Sequence, residues 1–475
     1  MSSYPRVVIA GVKGGSGKTT VSLGIIAALR SQKNLRVTPF KKGPDYIDAG
    51  WLSLAAGTPC YTLDPFLIAR EKILESFFFH FSGNIAVIEG NRGLYDGMDV
   101  EGSCSTAEVS KFLRAPVILV VDCTKITRTA AAVVLGCMHM DRDVKVQGVI
   151  LNQVSGKRHE SVIRPSIEKY CALPVLGAIP RLESGEFPER HMGLTPYQEH
   201  PDSLRALSFV RDVGERYLDV EGILNIARGA EPLTPALPAS LCPRDGSSVR
   251  IGVIRDSAFQ FYYPENIEEL ERNGAEIVEI HAMADDRLPE IDGLYIGGGF
   301  PETHAIALSE NHTFRASLRR AIKEGLPVYA ECGGLMYLGE GLLLDGRTYP
   351  MVGIFPLFFS LEKKPHAHGY SVIEVIRQNP FFPEGVTLKG HEFHYSRPMP
   401  CAGIEGDCYF AFRVMRGQGI LEQMDGLCYQ NVLATYTHLH AYGTREWVQG
   451  MIERAANFRN QKHAAGRECH PSNKR

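Results

Sequence analysis

The chain has 475 residues, which at roughly 150 residues per domain allows two to four domains. Its 51 Lys and Arg against 54 Asp and Glu leave a formal charge of −3, which argues against a protein that coats nucleic acid. Hydrophobic residues at 44% and charged residues at 22% fit a folded globular chain and exclude wholesale disorder.

The N-terminal MSSYPRVVIAG runs directly into a strand-like segment, so no signal peptide is visible. Arg6–Ala10, Arg36–Phe40, Ile85–Glu89, Val117–Val121, Val146–Leu151 and Val175–Ile179 then read as strands. Each is short and nearly all apolar, as strands buried on both faces of a parallel sheet are. Helical stretches such as Val21–Arg30 and Pro165–Cys171 lie between them, which predicts a doubly wound α/β domain ending near Ala227. The proline-rich segment from Ala227 to Ser248 reads as a linker. A second α/β pattern follows through Val249–Ile254, Gly293–Ile296, Pro327–Ala330 and Val432–Tyr436, and a polar tail is expected from about Asn457. The longest apolar runs, Ala115–Val121 and Ala130–Met138, fall short of the roughly 18 residues that cross a bilayer, so no membrane span is expected. Eleven cysteines between Cys60 and Cys469, with no C-x-x-C pair, read as reduced thiols of a cytoplasmic protein.

The first chemical signal stands after the first strand. Gly11-Val12-Lys13-Gly14-Gly15-Ser16-Gly17-Lys18-Thr19-Thr20 places a glycine-rich turn between a strand and a helix, the context a phosphate loop needs. Backbone N–H groups of Gly14 to Thr20 cradle phosphates, Lys18 reaches the terminal ones, and the Thr19 hydroxyl can ligate Mg²⁺. Val12 holds the usual first glycine position, leaving the variant K-G-G-x-G-K-T with Lys13 at its head. Two acidic segments follow the second and third strands: FKKGPDYID, with Lys41, Asp45, Tyr46 and Asp48, and VIEGNRGLYDG, with Glu89, Arg92 and Asp96. Each carboxylate alone reads as a solvated loop residue. Beside a phosphate loop, at the carboxyl ends of strands, Asp45 and Glu89 become candidate Mg²⁺ ligands with Thr19.

The second signal is Cys332. It follows the apolar PVYA and is followed by Gly333 and Gly334, the pattern of a nucleophile elbow between strand and helix, where the helix N-terminus is expected to lower the thiol pKa. Gly297-Gly298-Gly299 after another strand supplies N–H groups for an oxyanion hole, and His438 at a later strand end supplies a base. His366-x-His368 and His391-x-x-His394 are expected to be polar loop or substrate-facing residues rather than a zinc site.

In this order, PFKKGPDYID, AVIEGNRGLYDG, CSTAEVSK, LPVLGAIPR, PERHMGL, YIGGGFPE, AECGGLMYL, GHEFHYS and ATYTHLH resemble the cobyrinate a,c-diamide synthases over nearly the whole chain. The resemblance implies a dethiobiotin-synthetase-like P-loop domain that binds ATP and the macrocycle over 1–227, a linker over 228–248, a class I glutamine amidotransferase domain over 249–456 and a polar tail over 457–475. It implies a glutamine-hydrolysing ligase of cobalamin biosynthesis. Cys332, assisted by His438, releases ammonia from glutamine, while ATP phosphorylates a peripheral carboxylate of the macrocycle. Ammonia then displaces phosphate, giving the amide at side chain c and then at a. Lys18, Lys41 and Mg²⁺ neutralise the transferred phosphoryl group. Gly298 and Gly299 serve the oxyanion, and Tyr46, Asp48, Arg92 and Asp96 face the substrate. The implied partners are a cobyrinate-type tetrapyrrole, glutamine and ATP, without nucleic acid or membrane, and a homodimer is a candidate assembly.

Three departures stand out: Lys13 resembles the loop of partitioning ATPases, Asn91-Arg92 replaces an apolar pair, and His440 stands where a Glu two residues after His438 would complete a triad. A Cys–His pair is therefore expected. Neighbouring readings are the synthases that amidate nickel sirohydrochlorin or hydrogenobyrinate, and cobyrate synthase, which amidates four other side chains. A non-enzymatic ATP switch that partitions cargo shares KGGSGKT, but neither the Cys332 half nor the charge of −3 suits it.

Overall fold

Apolar runs without a polar face form strands covered on both sides, and the first, β1 (Arg6–Gly11), is buried along its whole length. The structure is a computed structural model that describes residues 4–182, 189–190, 193–234, 248–401 and 406–468. The chain divides into two units, Met1–Ala239 and Ser240–Arg475.

In the first unit, β1 is followed by α1 (Lys18–Lys33), β2 (Val37–Lys41), α2 (Tyr46–Ala56), β3 (Tyr61–Thr62), α3 (Arg70–His80) and β4 (Ile85–Gly93). Then come α4 (Thr106–Phe112), β5 (Val117–Asp122), α5 (Thr129–Met140), β6 (Val146–Val154), α6 (Lys157–Cys171) and β7 (Val175–Pro180). The seven strands pair in parallel in the order β3-β2-β4-β1-β5-β6-β7. The chain leaves β1 toward β2 on one side and later fills β5 to β7 on the other. The end of β1 is thus a topological switch point, where open α/β sheets take their ligands. A two-residue pair, β8 (Glu189–Arg190) with β9 (Gly193–Leu194), precedes α7 (Ser203–Tyr217) and α8 (Val220–Arg228). Helices α1 and α7 approach backbone to backbone, since a Cβ at Gly214 would stand 2.2 Å from the Gly24 carbonyl oxygen. Helix α6 starts eight residues before the expected Pro165, because its buried face, Ile163, Ile167 and Cys171, straddles the proline. The linker expected over 228–248 lies mostly outside the described residues, as does part of PERHMGL.

In the second unit, β10 (Val249–Ile254), α9 (Pro264–Arg272), β11 (Ala275–Ile280), β12 (Gly293–Ile296), α10 (Ala305–Glu310), α11 (His312–Lys323), β13 (Val328–Glu331) and α12 (Gly333–Leu338) build the α/β part. Strands β14 (Gly339–Leu344), β15 (Arg347–Pro350), β16 (Phe355–Leu361), β17 (Ala367–Val375), β18 (Thr387–His394) and β19 (Ser396–Pro400) follow. The chain continues through β20 (Cys408–Arg416), β21 (Met424–Tyr429), β22 (Val432–Thr435), β23 (His438–Leu439) and α13 (Arg445–Glu468). Ten strands form one sheet in the order β11-β10-β12-β13-β22-β21-β20-β17-β18-β23, parallel from β11 to β22 and antiparallel beyond. A smaller sheet orders β15-β14-β16-β19.

Alternation along these strands sorts the core into two faces. Leu294, Ile296, Val328, Ala330 and Cys332 belong to one apolar cluster, and Tyr295, Tyr329 and Leu433 to the other, beside Trp447 of α13. The polar tail expected from Asn457 is in fact helical to Glu468, because Phe458 still packs on the core and carries the helix past that point. Among the described residues no helix is long and apolar enough to cross a membrane.

Candidate functional site

The loop after β1 is shaped by two left-handed glycines, Gly15 at φ 71° and Gly17 at φ 88°, which a side chain would strain. The Asn152 amide, at the end of β6, donates to the Ser16 carbonyl at 2.9 Å, so close that a Cβ on Gly17 would stand 2.1 Å from it. The Ser16 hydroxyl closes the loop by donating to the Lys13 carbonyl at 2.8 Å, and Gly14 sits exposed at the tip. Lys18, Thr19 and Thr20 open α1. Lys18 is mostly buried with no acceptor among the described residues; burial lowers its pKa, while Glu89 opposes that shift. The Lys13 ammonium pairs with Asp122 at 3.0 Å and remains largely exposed.

Lys41, 1% exposed at the end of β2, gathers the acidic residues. Its Nζ lies 2.6 Å from Glu89 Oε1, 2.7 Å from Asp48 Oδ2 and 3.8 Å from Asp45 Oδ2. The Thr19 hydroxyl donates to the same Glu89 Oε1 at 3.0 Å. Burial alone would lower the Lys41 pKa, but the charges of Asp48, Glu89 and Asp45 raise it well above the ordinary lysine value. Burial pushes Asp48 up, and Lys41 outweighs it to hold that carboxyl below the usual range. Glu89 goes the other way: burial raises it, helped by Asp48, against the pull of Lys41. Asp45 caps α2 by accepting the Asp48 N–H at 2.9 Å, and burial with the Asp48 charge raises it to about 7.

The second oxygen of Glu89 is buried without a hydrogen-bond partner, next to the Thr19 hydroxyl. A hard carboxylate oxygen left open beside a hydroxyl at a phosphate loop fits Mg²⁺, which takes few protein ligands. Among the described residues, no three His, Cys, Asp or Glu side chains form a metal cluster of their own. Tyr46 and Asp48 stand on the first turn of α2. Asp96 accepts the Gly93 N–H at 2.8 Å and closes the turn after β4. Arg92, near the end of β4, is exposed, left-handed at φ 51°, and finds no acceptor among the described residues. Its neighbour Asn91 packs against Gly43, where a Cβ would meet the Asn91 amide at 2.6 Å.

In the second unit, Cys332 sits between β13 and α12 at φ 48° and ψ −99°, a strained conformation for a residue with a side chain. Glycine beyond it is required: a Cβ on Gly334 would lie 2.6 Å from the Ile296 carbonyl oxygen. The expectation that the helix N-terminus lowers this thiol is overturned. Burial raises its pKa, the Glu302, Glu331 and Glu392 charges add to that, and the single N–H of Gly333 offsets little. The resting thiol is therefore protonated, and its chemistry needs a base.

His438, on β23, lies over the glycine loop after β12, where a Cβ on Gly298 would stand 2.5 Å from its Cε1. Gly298 bridges to Phe261, whose N–H donates to the Gly298 carbonyl at 3.0 Å. The Gly299 N–H lies against Gly333 and has no acceptor among the described residues. His391 and His394 are not loop residues: both are buried on β18, where pairing with β23 sets His391 opposite His438 and stacks the rings at 4.8 Å. His394 stacks on Tyr436 at 3.6 Å, and burial lowers its pKa to about 3. Buried Asp425 accepts the Thr435 and Thr437 hydroxyls at 2.7 and 3.0 Å and the Tyr436 N–H at 3.1 Å, holding the turn that carries His438.

The Cys–His pair expected from the sequence has a buried carboxylate beside its histidine. Glu331, the residue before Cys332, places Oε2 3.3 Å from His438 Nδ1. Nothing local marks Glu331 as a partner of His438, 107 positions away; its only signal is a carboxylate at the end of an apolar strand.

These two sites define a bifunctional class of protein, a P-loop nucleotide-binding unit joined to a thiol amidotransferase unit. Residues 7–194 match the CobQ/CobB/MinD/ParA nucleotide binding domain and residues 250–446 the CobB/CobQ-like glutamine amidotransferase domain. The chain is 42% identical over 450 residues to the cobyrinate a,c-diamide synthase of Magnetococcus marinus, covering 94% of this chain and 96% of that one. It is 42% identical over 453 residues to the enzyme of the same name from Archaeoglobus fulgidus, covering 95% and 97%. The chain belongs to the cobyrinate a,c-diamide synthase family.

Proposed function

We propose that this chain is a glutamine-hydrolysing ligase that amidates the a and c acetate carboxylates of cobyrinate, driven by ATP, in cobalamin synthesis. The observation that carries the reading is that one chain of this family holds both a phosphate loop backed by the Lys41 cluster and a thiol at a strained elbow. The amidotransferase unit spans 249–456 and the synthetase unit 1–227.

At the second site the proton of the Cys332 thiol passes to His438 as sulfur attacks the side-chain amide carbon of glutamine. The C–N bond breaks, ammonia leaves with that proton, and water then cleaves the thioester to glutamate. The Gly299 N–H stabilises the oxyanion.

At the first site a carboxylate of the macrocycle attacks the γ-phosphate, ADP leaves, and ammonia displaces phosphate from the acyl phosphate. This activation is chemically required, because a free carboxylate resists attack by an amine. Gly14 to Thr20 cradle the phosphates, and Lys18 meets the transferred group. Lys41 holds Glu89 and Asp48 in place. Thr19, Glu89 and Asp45 would hold Mg²⁺, which when bound would supply positive charge beside the phosphates. Tyr46, Asp48, Asp96 and Arg92 face the macrocycle.

Mass spectrometry of products made from cobyrinate, ATP and either glutamine or ammonium tests the reading. The expected product carries two amides, and Cys332→Ala makes it from ammonium but not from glutamine. Amidation of nickel sirohydrochlorin or hydrogenobyrinate in place of cobyrinate, or addition of four amides, would overturn the macrocycle assignment. Glutamine use by Cys332→Ala would overturn the second site.

A further inference from the structure

Glu331 is 1% exposed and its carboxylate faces the tyrosine side of the sheet. Its Oε1 accepts the Tyr329 hydroxyl at 3.1 Å and the Leu439 N–H at 3.1 Å. Its Oε2 accepts the Tyr295 hydroxyl at 3.1 Å and lies 3.3 Å from His438 Nδ1. One carboxylate therefore grips both the ring of His438 and the backbone of the next residue. The ring has little freedom left, with His391 stacked on it at 4.8 Å and Gly298 against its Cε1.

An ionised carboxylate can only accept, so a hydrogen bond at 3.3 Å to Nδ1 requires the imidazole proton to stand on Nδ1. Nε2 then carries the lone pair. That is the nitrogen a base needs for the Cys332 proton, and the imidazolium formed on proton transfer is met by a negative charge already in place. We propose that Glu331 is the positioning residue of the glutamine site, accepting Nδ1–H of His438 so that Nε2 serves as the base for Cys332. The proposal rests on the reading that Cys332 and His438 hydrolyse glutamine, and deepens it. It places the acid directly before the nucleophile in the chain, on β13, rather than after the histidine.

The competing role is purely architectural, with Glu331 tying β13 to β23 through Leu439. Two measurements separate the two. Nitrogen-15 histidine spectra of the unaltered protein, with the His438 signals assigned by their loss in His438→Asn, should show the Nδ1–H form; the Nε2–H form would overturn the proposal. Glu331→Gln keeps the shape and an acceptor for Leu439 but turns an N–H donor toward Nδ1. Its glutaminase kcat should fall by up to roughly 10⁴-fold, the loss seen when the acid of a serine-protease triad becomes its amide. The KM for glutamine should stay within about threefold, since the ring is not a binding group. Unchanged kcat in Glu331→Gln, or a loss of kcat with His438 still in the Nδ1–H form, would overturn it. Cys332→Ala run alongside separates the two failures: if it lacks glutaminase while Glu331→Gln keeps it, only the positioning role is lost. If Cys332→Ala keeps glutaminase, the site reading itself falls.

Discussion

Replacing Lys41 by Met tests the buried cluster at the phosphate loop. The ammonium is 1% exposed, touches Glu89 and Asp48 at 2.6 and 2.7 Å, and faces Asp45 at 3.8 Å. Met fills a similar volume but leaves these carboxylates without their cation. Breaking one partner of a buried ion pair costs about 3–5 kcal/mol, chiefly through the charge left behind. In a unit of this size each kcal/mol moves the unfolding midpoint by about 2–4 °C, so the first unit should melt roughly 6–20 °C lower. The sign of the pH dependence follows from Asp48. Its carboxyl is depressed because Lys41 outweighs burial, so it contributes stability above the ordinary carboxylate range and loses it as pH falls through the depressed value. Without Lys41, burial dominates and the carboxylates favour their protonated forms, so the variant regains stability as pH falls. The gap between the two proteins should thus be widest near pH 8 and narrow toward pH 5. Scanning calorimetry of the full chain measures it, with the first unit's transition identified by its shift in Mg²⁺ and ATP. A midpoint within about 2 °C of the parent, or a gap that does not change with pH, would refute the argument.

Arg92→Ala should raise the macrocycle KM while leaving the KM for ATP nearly unchanged. A lost charged hydrogen bond of about 1.5–3 kcal/mol predicts roughly a 10- to 150-fold fall in kcat/KM for the macrocycle. Kinetics with each substrate varied in turn decide it, and an effect confined to ATP counts against this role. Glu392 is raised to about 7 by burial and then by Asp425, against the N–H groups of Gln418 and Gly419 at 2.9 and 3.2 Å. A raised carboxyl costs nothing below its unfolded value and destabilises progressively as pH rises through about 7, by about 3 kcal/mol in full. The unfolding midpoint of the second unit should therefore fall between pH 5 and pH 8 more steeply in the parent than in Glu392→Gln. Parallel slopes would show that Glu392 ionises freely.

The elements that carry chemistry were legible because each is local. A buried parallel strand has no polar face, a phosphate loop needs left-handed glycines beside a helix start, and an elbow needs small residues after its nucleophile; all three leave marks within ten residues. β10 and β12 fall on their expected bounds, and β2 and β13 lie one residue later than expected. Pro165 and Asn457 misled because local signals for a helix start and a polar tail gave way to apolar faces that pack on the core.

What only the tertiary structure decided is which distant polar groups share one low-dielectric pocket. Lys41 meets Glu89 because β2 and β4 are adjacent and set Lys41 opposite Glu89, although 48 positions separate them. Asn152 reaches Ser16 across 136 positions, and Glu331 reaches His438 across 107. The same packing reversed the expected thiol shift, because burial of Cys332 outweighs the N–H group that follows it. A short helix start is visible in the residues around it. Desolvation depends on everything that closes over the group, and so it belongs to the fold rather than to any stretch of the chain.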